Sequence, residues 1–492
     1  MKVAIIKDDK LDYCQEAPFH PREKYQEYPF EDVCEDNPCY GLVRDLFYKL
    51  GMDRDHYGMS SWNPMGEIIR PGDHVFIKPN FVSHQNAVGG MEAIVVQGPI
   101  IRAVLDYVYI ALGGKGKITI GDASYINADF DAIVRGTGIE RIIDYYSRHM
   151  KIGLLDLRKE KGTLKDGTII RQSLAGDPLG YSAIDLKRDS EHHGKSGYGR
   201  YRVAYYDRRE MAEHHDENKN EYCIANSILD ADVIINMPKL KTHDKTGFSC
   251  ALKNLVGING LKGWLPHHRA GPYEAGGDEY LHKDLRKDLF VVLKDELPVI
   301  DGTRYALPVR LFTSLLSRSG RAVPFRDDFE AGSWYGNSTL PRTIADMNKI
   351  IFYADKKGIM RDEPQRRMFI VVDGIIAGEK EGPMSNSAKK CGVLAAGYNP
   401  VEVDLVCCLA MGFDPKKILM LEYAMNARKY EIYGGSVNSI EIASDRCRTL
   451  DSVYDAFNCA LAPPKSWIGH IEYEKSPPAR AGTHCAVPAS RQ

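Results

Sequence analysis

The stretch INMPKLKTHDKTGFSCALKNLVGING, from Ile235 to Gly260, runs from an apolar segment straight into Lys239, Lys241 and His243, then into a short helical pattern carrying Lys253. In an extended chain alternate residues share a face, so Lys239, Lys241 and His243 are expected to point the same way. Ser249 is placed to cap a short helix, CALKNLVG, that Gly257 closes. Free N–H groups at that helix start, beside two lysines, would hold a phosphate or carboxylate. Lys253 and Asn254 are expected to face the same cavity. His243 is the first choice for general acid/base, with Lys241 beside it, because its free pKa lies near working pH. Judged alone, any one of these lysines is better explained as a surface charge lying over a strand edge. The set, following so apolar a strand, is what points to a site.

Ligands of open α/β sheets bind outside the carboxyl ends of the strands, so the other strand ends matter. HVFI ends in Lys78-Pro79-Asn80, KITI in Gly121-Asp122, and FIVV in Asp373-Gly374. Lys78 and Asn80 are candidate anion ligands. Asp122 and Asp373 are candidates to orient cations or hold a divalent metal, with turn or cap chemistry as the alternative for Asp122. GIIAGEKEGPM adds Glu379 and Glu381, two carboxylates suited to acid/base work if burial separates their pKa values, or else a solvated loop. LPHHRAGPYEAGGDEY offers His267, His268 and Arg269 on a loop soon after the lysine-rich stretch, and GSWYGNSTLPRT offers Asn337 and Arg342 as a second anion-binding lip.

The elements that must carry these groups follow from periodicity. KVAIIK, HVFIKPN, KITIGDA, IGLLDL, DVIINMP, FIVVDGI and GVLAAG read as buried strands. GPIIRAVLDYVYIALGG, DFDAIVRGTGIERIIDYYSRHM, NPVEVDLVCCLAMGF and TIADMNKIIFYADKKG read as helices. Their alternation predicts an α/β protein with mainly parallel sheets, in two lobes with a cleft between them. The first lobe is expected over residues 1–300, with a polar hairpin and loop insertion at about 158–222; the second covers 301–460, and an extended or disordered tail 461–492. PVRLFTSLLSRSGRAVPF is basic and amphipathic, as a core-facing or partner-facing helix would be, with a membrane-surface helix as the alternative.

With 492 residues, 43% hydrophobic and 27% charged, the composition is that of a globular protein, and a net charge of −2 gives no basic field for nucleic acid. No apolar run reaches membrane-spanning length, and MKVAIIKDDK lacks the apolar region of a signal peptide, so a cytoplasmic location is expected. The 11 cysteines form no CxxC pair, which argues against an iron–sulfur cluster.

NMPKLKTH followed by CALKNLVGING, with KPN, GDAS and DGIIAGEKEGP, resembles the domain of unknown function 362 family over about Pro71 to Asp404. WNPMGEIIRPGD, LPHHR, GGDEY and SWYGN are similar to a subgroup associated with surface-polysaccharide gene clusters, from which this chain departs at Ser338 and Leu340-Pro341. More distantly, the order of elements is similar to nickel-pincer lactate racemases. That resemblance implies Lys241 and His243 facing the cleft and Lys253 on the following helix. The combined expectation is an enzyme acting on a small anionic substrate. The alternatives are a non-catalytic protein that holds a phosphorylated glycan or lipid carrier, and a metal-dependent redox protein. An oligomer is compatible with either.

Overall fold

The computed structural model describes residues 2–34, 36–195 and 197–474, so residues 475–492 of the tail expected over 461–492 lie outside the described residues. Ten strands form the main sheet: β1 (Lys2–Lys7), β2 (His74–Pro79), β3 (Lys117–Asp122), β4 (Ile152–Asp156), β5 (Val233–Met237), β6 (Lys239–His243), β7 (Gly247–Ser249), β8 (Arg367–Glu379), β9 (Ser387–Gly397) and β10 (Glu441–Ala443). Their order is β10-β1-β9-β8-β5-β2-β3-β4, with β6 on β8 and β7 on β6. From β8 to β4 every neighbour is parallel, while β9 runs antiparallel to both of its neighbours.

The α/β class is therefore as expected, but the break near residue 300 does not divide the sheet. Strands from before and after it alternate, since β8 and β9 lie between β1 and β5. The reason lies in pairing partners that no local pattern reveals: β8 runs 13 residues and offers its first half to β5 and its second half to β6.

Alternation along the strands builds two cores. Val233 and Ile235 point to one face with Val75 and Ile77, while Ile234 and Phe76 point to the other. Helices cover both faces, which is why these strands read as continuous apolar runs. On one side lie α1 (Cys39–Leu50) and α2 (Gly98–Leu112). On the other lie α3 (Ala251–Asn254), α6 (Thr339–Tyr353) and α7 (Pro400–Met411). Helix α7 shows how local chemistry sets the limits. Asn399 accepts the Val401 and Glu402 N–H groups, Pro400 needs no hydrogen-bond partner, and Gly412 closes the helix at φ +94°. Between α3 and α6, α4 (Leu285–Ile300) and α5 (Ala306–Ala322) pack against each other.

The polar insertion contains the hairpin Glu160–Lys165/Thr168–Ser173 and a three-stranded sheet, as expected. It also contains a helix, Arg208–His214, capped by Asp207. At 7 residues that helix is too short to show a period. Residues 461–474 pack Trp467 and Ile471 into the core. Among the described residues no helix is long and apolar enough to cross a membrane.

Candidate functional site

Where β2 and β3 end, the sheet is pinned by buried polar groups. Lys78, fully buried, lies 2.6 Å from the Asp122 carboxylate and donates to the carbonyl of Pro79. Asp122 also accepts the Phe81 N–H at 2.7 Å. Asn254 donates to the carbonyl of Lys78 and to Asn236 Oδ1, which ties α3 to β2 and β5. Beyond Pro79 the chain leaves β5, whereas β6 continues along β8. The space that opens is a cavity of about 310 Å³.

Into this cavity the structure brings Asn80, Asp122, Lys241, His243, Ser249, Lys253, Asn254, His267 and His268. Residues not anticipated complete the wall: Arg158, Glu160, Tyr125, Asp244, Lys245 and Lys262. The repeated lysine in KTHDKTG could have pointed to Lys245. Nothing local marks Lys262 or Arg158, which meet the others only through the fold.

Lys239 is elsewhere. Its Nζ lies 3.1 Å from Asp373 and 2.8 Å from the Tyr13 hydroxyl, which itself donates to Asp373 at 2.6 Å, all within the core. Strict alternation fails because β6 is bulged against β8: Lys239 pairs with Asp373 and Lys241 with Gly378. Asp373 is thus part of a buried ion pair and does not line the cavity. Lys78 likewise stands behind the wall, and Asp122 is already engaged by it. Among the described residues no group of three or more His, Cys, Asp or Glu is placed to hold a metal.

Helix α3 does not offer the open N-terminus expected for an anion. Asp404, from α7, accepts the N–H groups of Ala251 and Leu252 at 2.7 and 3.0 Å, and Ser249 is not the cap. Glu379 accepts the Ala462 N–H and Glu381 the Lys465 N–H, so both bind the 461–474 segment outside the cavity. Asn337 caps α6 by accepting from Thr339 and Leu340, Arg269 bonds to Ser338, and Arg342 bonds to Tyr423. That lip does not reach the cavity.

Charge in the cavity is unbalanced. Arg158 is answered by Asp156 and Glu160 by Arg171. Four lysines form no ion pair with a carboxylate among the described residues, although the Asp244 charge in the same wall works against the lowering of the Lys245, Lys253 and Lys262 pKa values. Lys241 donates to Asn80 Oδ1 and the carbonyl of Ile94, and Lys245 to the carbonyl of Ala331 and to Ser333. Lys262 lies 3.8 Å above the Tyr125 ring. The Lys253 ammonium makes no hydrogen bond or ion pair among the described residues. Burial is the main cause that lowers their pKa values, and neighbouring lysines add to it. Lys253 is pushed down to about 8 and Lys262 to about 7, and Lys241 falls well below the usual lysine range. Burial and the same lysines hold His243, His267 and His268 well below the usual histidine value.

Two of the three cavity imidazoles, His243 and His267, are oriented for opposite tasks. His243 Nδ1 accepts the Lys245 N–H at 3.1 Å, so the neutral ring carries its proton on Nε2 and can donate it in a hydrogen bond. His267 Nδ1 lies 2.6 Å from the carbonyl of Leu265 and must donate to it, which leaves Nε2 with a free lone pair. His267 Nε2 is therefore free to accept a hydrogen bond, and the Nδ1 of His268 is also buried without a hydrogen-bond partner among the described residues.

A pH dependence follows. Lys253 and Lys262 have an ordinary value of 10.5 in the unfolded chain and titrate near 8 and 7 when folded, so the unfolded chain binds more protons between those limits. Stability of the ligand-free protein should thus rise as pH rises from about 7 toward 10. Thermal melts across that window check this. The double variant Lys253→Met, Lys262→Met should show a flatter profile, and identical slopes would contradict the assignment.

A mixed α/β sheet with a buried, cation-rich cavity at the carboxyl ends of its parallel strands defines the class of this protein. Residues 196–409 match the family described as Domain of unknown function (DUF362). No curated protein matches the chain. The matched segment supplies β5 to β9 and the cavity lysines, while Asn80, Asp122 and Arg158 come from outside it.

Proposed function

We propose that the protein is an enzyme whose cavity binds a small polyanionic substrate bearing a phosphate, diphosphate or carboxylate. One observation carries this reading: four cavity lysines that form no ion pair with a carboxylate among the described residues are gathered around a space of metabolite size. Buried cations are stable when paired, so an incoming anion completes the arrangement. Lys253 and Lys262 contact the anion, and the His243 Nε2–H donates to it. His267 Nε2 takes the proton from the reacting group, as general base. Sugar phosphates and diphosphates, the intermediates of polysaccharide assembly, have the chemistry this site would take. The second reading, a carrier that holds such a molecule without turnover, uses the same lysines.

Calorimetry with inorganic diphosphate is the test. Binding is expected with proton uptake at pH near 8, because the anion raises the lysine pKa values, and Lys253→Ala should weaken it by about tenfold or more. No heat and no thermal shift with phosphate, diphosphate or citrate would remove the proposal. With a turned-over sugar phosphate in hand, His267→Gln should lose most of kcat while affinity is kept. A carrier would show no turnover in either form.

A further inference from the structure

The α4–α5 hairpin leaves leucines in solvent on both helices. On α5, Leu307, Leu311 and Leu315 recur at helical spacing and are 64%, 64% and 60% exposed, with Phe312 beside them. On α4, Leu285 is 80% exposed, and Leu289 and Val292 follow on the same face. The opposite side of α5 is the one that packs: Ala306 and Thr313 are buried there. Exposed apolar stripes of this size mark contact surfaces.

Charge says what makes the contact. From Gly302 to Arg326 the chain carries Arg304, Arg310, Arg318, Arg321 and Arg326 and no aspartate or glutamate, in a protein whose net charge is −2. Of these, Arg310 is tied to Asp301, and Arg326 donates to the carbonyl of Lys283. A helix with leucine and phenylalanine on its open face and only arginine among its charges matches the surface of an anionic bilayer, lying in its plane. At 17 residues α5 falls short of a span. A second copy docked on the same face would bring the arginines of α5 against one another.

We infer that the α4–α5 hairpin docks the protein on an anionic lipid surface, Leu307, Leu311, Phe312 and Leu315 entering the headgroup boundary and the arginines meeting lipid phosphates. This rests on surface residues away from the cavity and stands independently of the anion site.

Co-sedimentation of the full chain with vesicles tests it, using phosphatidylcholine alone and phosphatidylcholine mixed with phosphatidylglycerol. The chain should pellet with the mixed vesicles, not with the neutral ones, and less as salt is raised. The double variant Leu311→Glu, Leu315→Glu should weaken partition by about tenfold or more, with melting temperature and diphosphate binding unchanged. Arg318→Glu should weaken it less. Lys253→Ala should pellet as the parent does, which separates the surface from the cavity. Failure to pellet with mixed vesicles would overturn the inference. So would a dimer in light scattering that the leucine variant abolishes, or pelleting that the leucine variant leaves intact.

Discussion

Replacing Gly257 with alanine is expected to cost about 3–5 kcal/mol of stability, the scale of a broken buried ion pair. A Cβ at this position would stand 2.0 Å from Asp122 Oδ1 and 2.8 Å from Lys78 Nζ. Neither partner can yield. Both are buried, Asp122 is held by the Phe81 N–H, and Lys78 by the carbonyl of Pro79 and by Asn254 Oδ1. The turn that carries Gly257 cannot retreat freely either, because its carbonyl accepts the Ala123 N–H at 2.8 Å. One methyl group must therefore separate the Lys78–Asp122 pair or pull the 255–258 turn off the strand ends. Urea unfolding should show a lower midpoint with an unchanged slope. A variant within about 0.5 kcal/mol of the parent would show that the pair is not packed as described.

Lys239→Met should be as damaging, and for a different reason. It leaves the Asp373 carboxylate fully buried, with the Tyr13 hydroxyl and the N–H groups of Gln97 and Ile375 as its remaining partners. Losing one member of such a pair costs about 3–5 kcal/mol. Lys239→Met together with Asp373→Asn removes the stranded carboxylate while keeping a hydrogen-bonding side chain, and should recover a large part of the loss. Diphosphate affinity of the folded double variant should match the parent, since Lys239 does not line the cavity, whereas Lys241→Met should bind more weakly. If Lys239→Met weakened the anion and spared stability, Lys239 would belong to the site after all.

Those two lysines show where reading the residues in order succeeds and where it stops. Strands such as HVFIK and DVIIN are legible because they are buried on both faces, and their polar ends are legible because a strand so apolar has no other reason to finish in lysine. What decides between Lys239 and Lys241 is a bulge against β8, more than 120 residues further along the chain. Ser249 looked like a cap because it precedes a helical pattern. The true partner of those N–H groups is Asp404, which only the packing of α7 brings near. His267 stood in a loop soon after the lysine-rich stretch, and it does line the cavity. Its role as the free imidazole follows from a carbonyl two residues away, a detail of loop geometry. Arg158 and Glu160 begin a polar insertion that reads as surface loops, yet they form one wall of the cavity.

The boundaries of the family match have a practical meaning for anyone dissecting this molecule. Cutting at residues 196 and 409 would strip β2 from the flank of β5 and remove Lys78 and Asp122 together. The excised piece would present a long apolar strand with a bare hydrogen-bonding edge, a template for sticking to copies of itself. The segment that defines kinship here is thus not a unit that can be lifted out. It is the middle of a sheet, and the neighbouring stretches of chain are what keep it from aggregating.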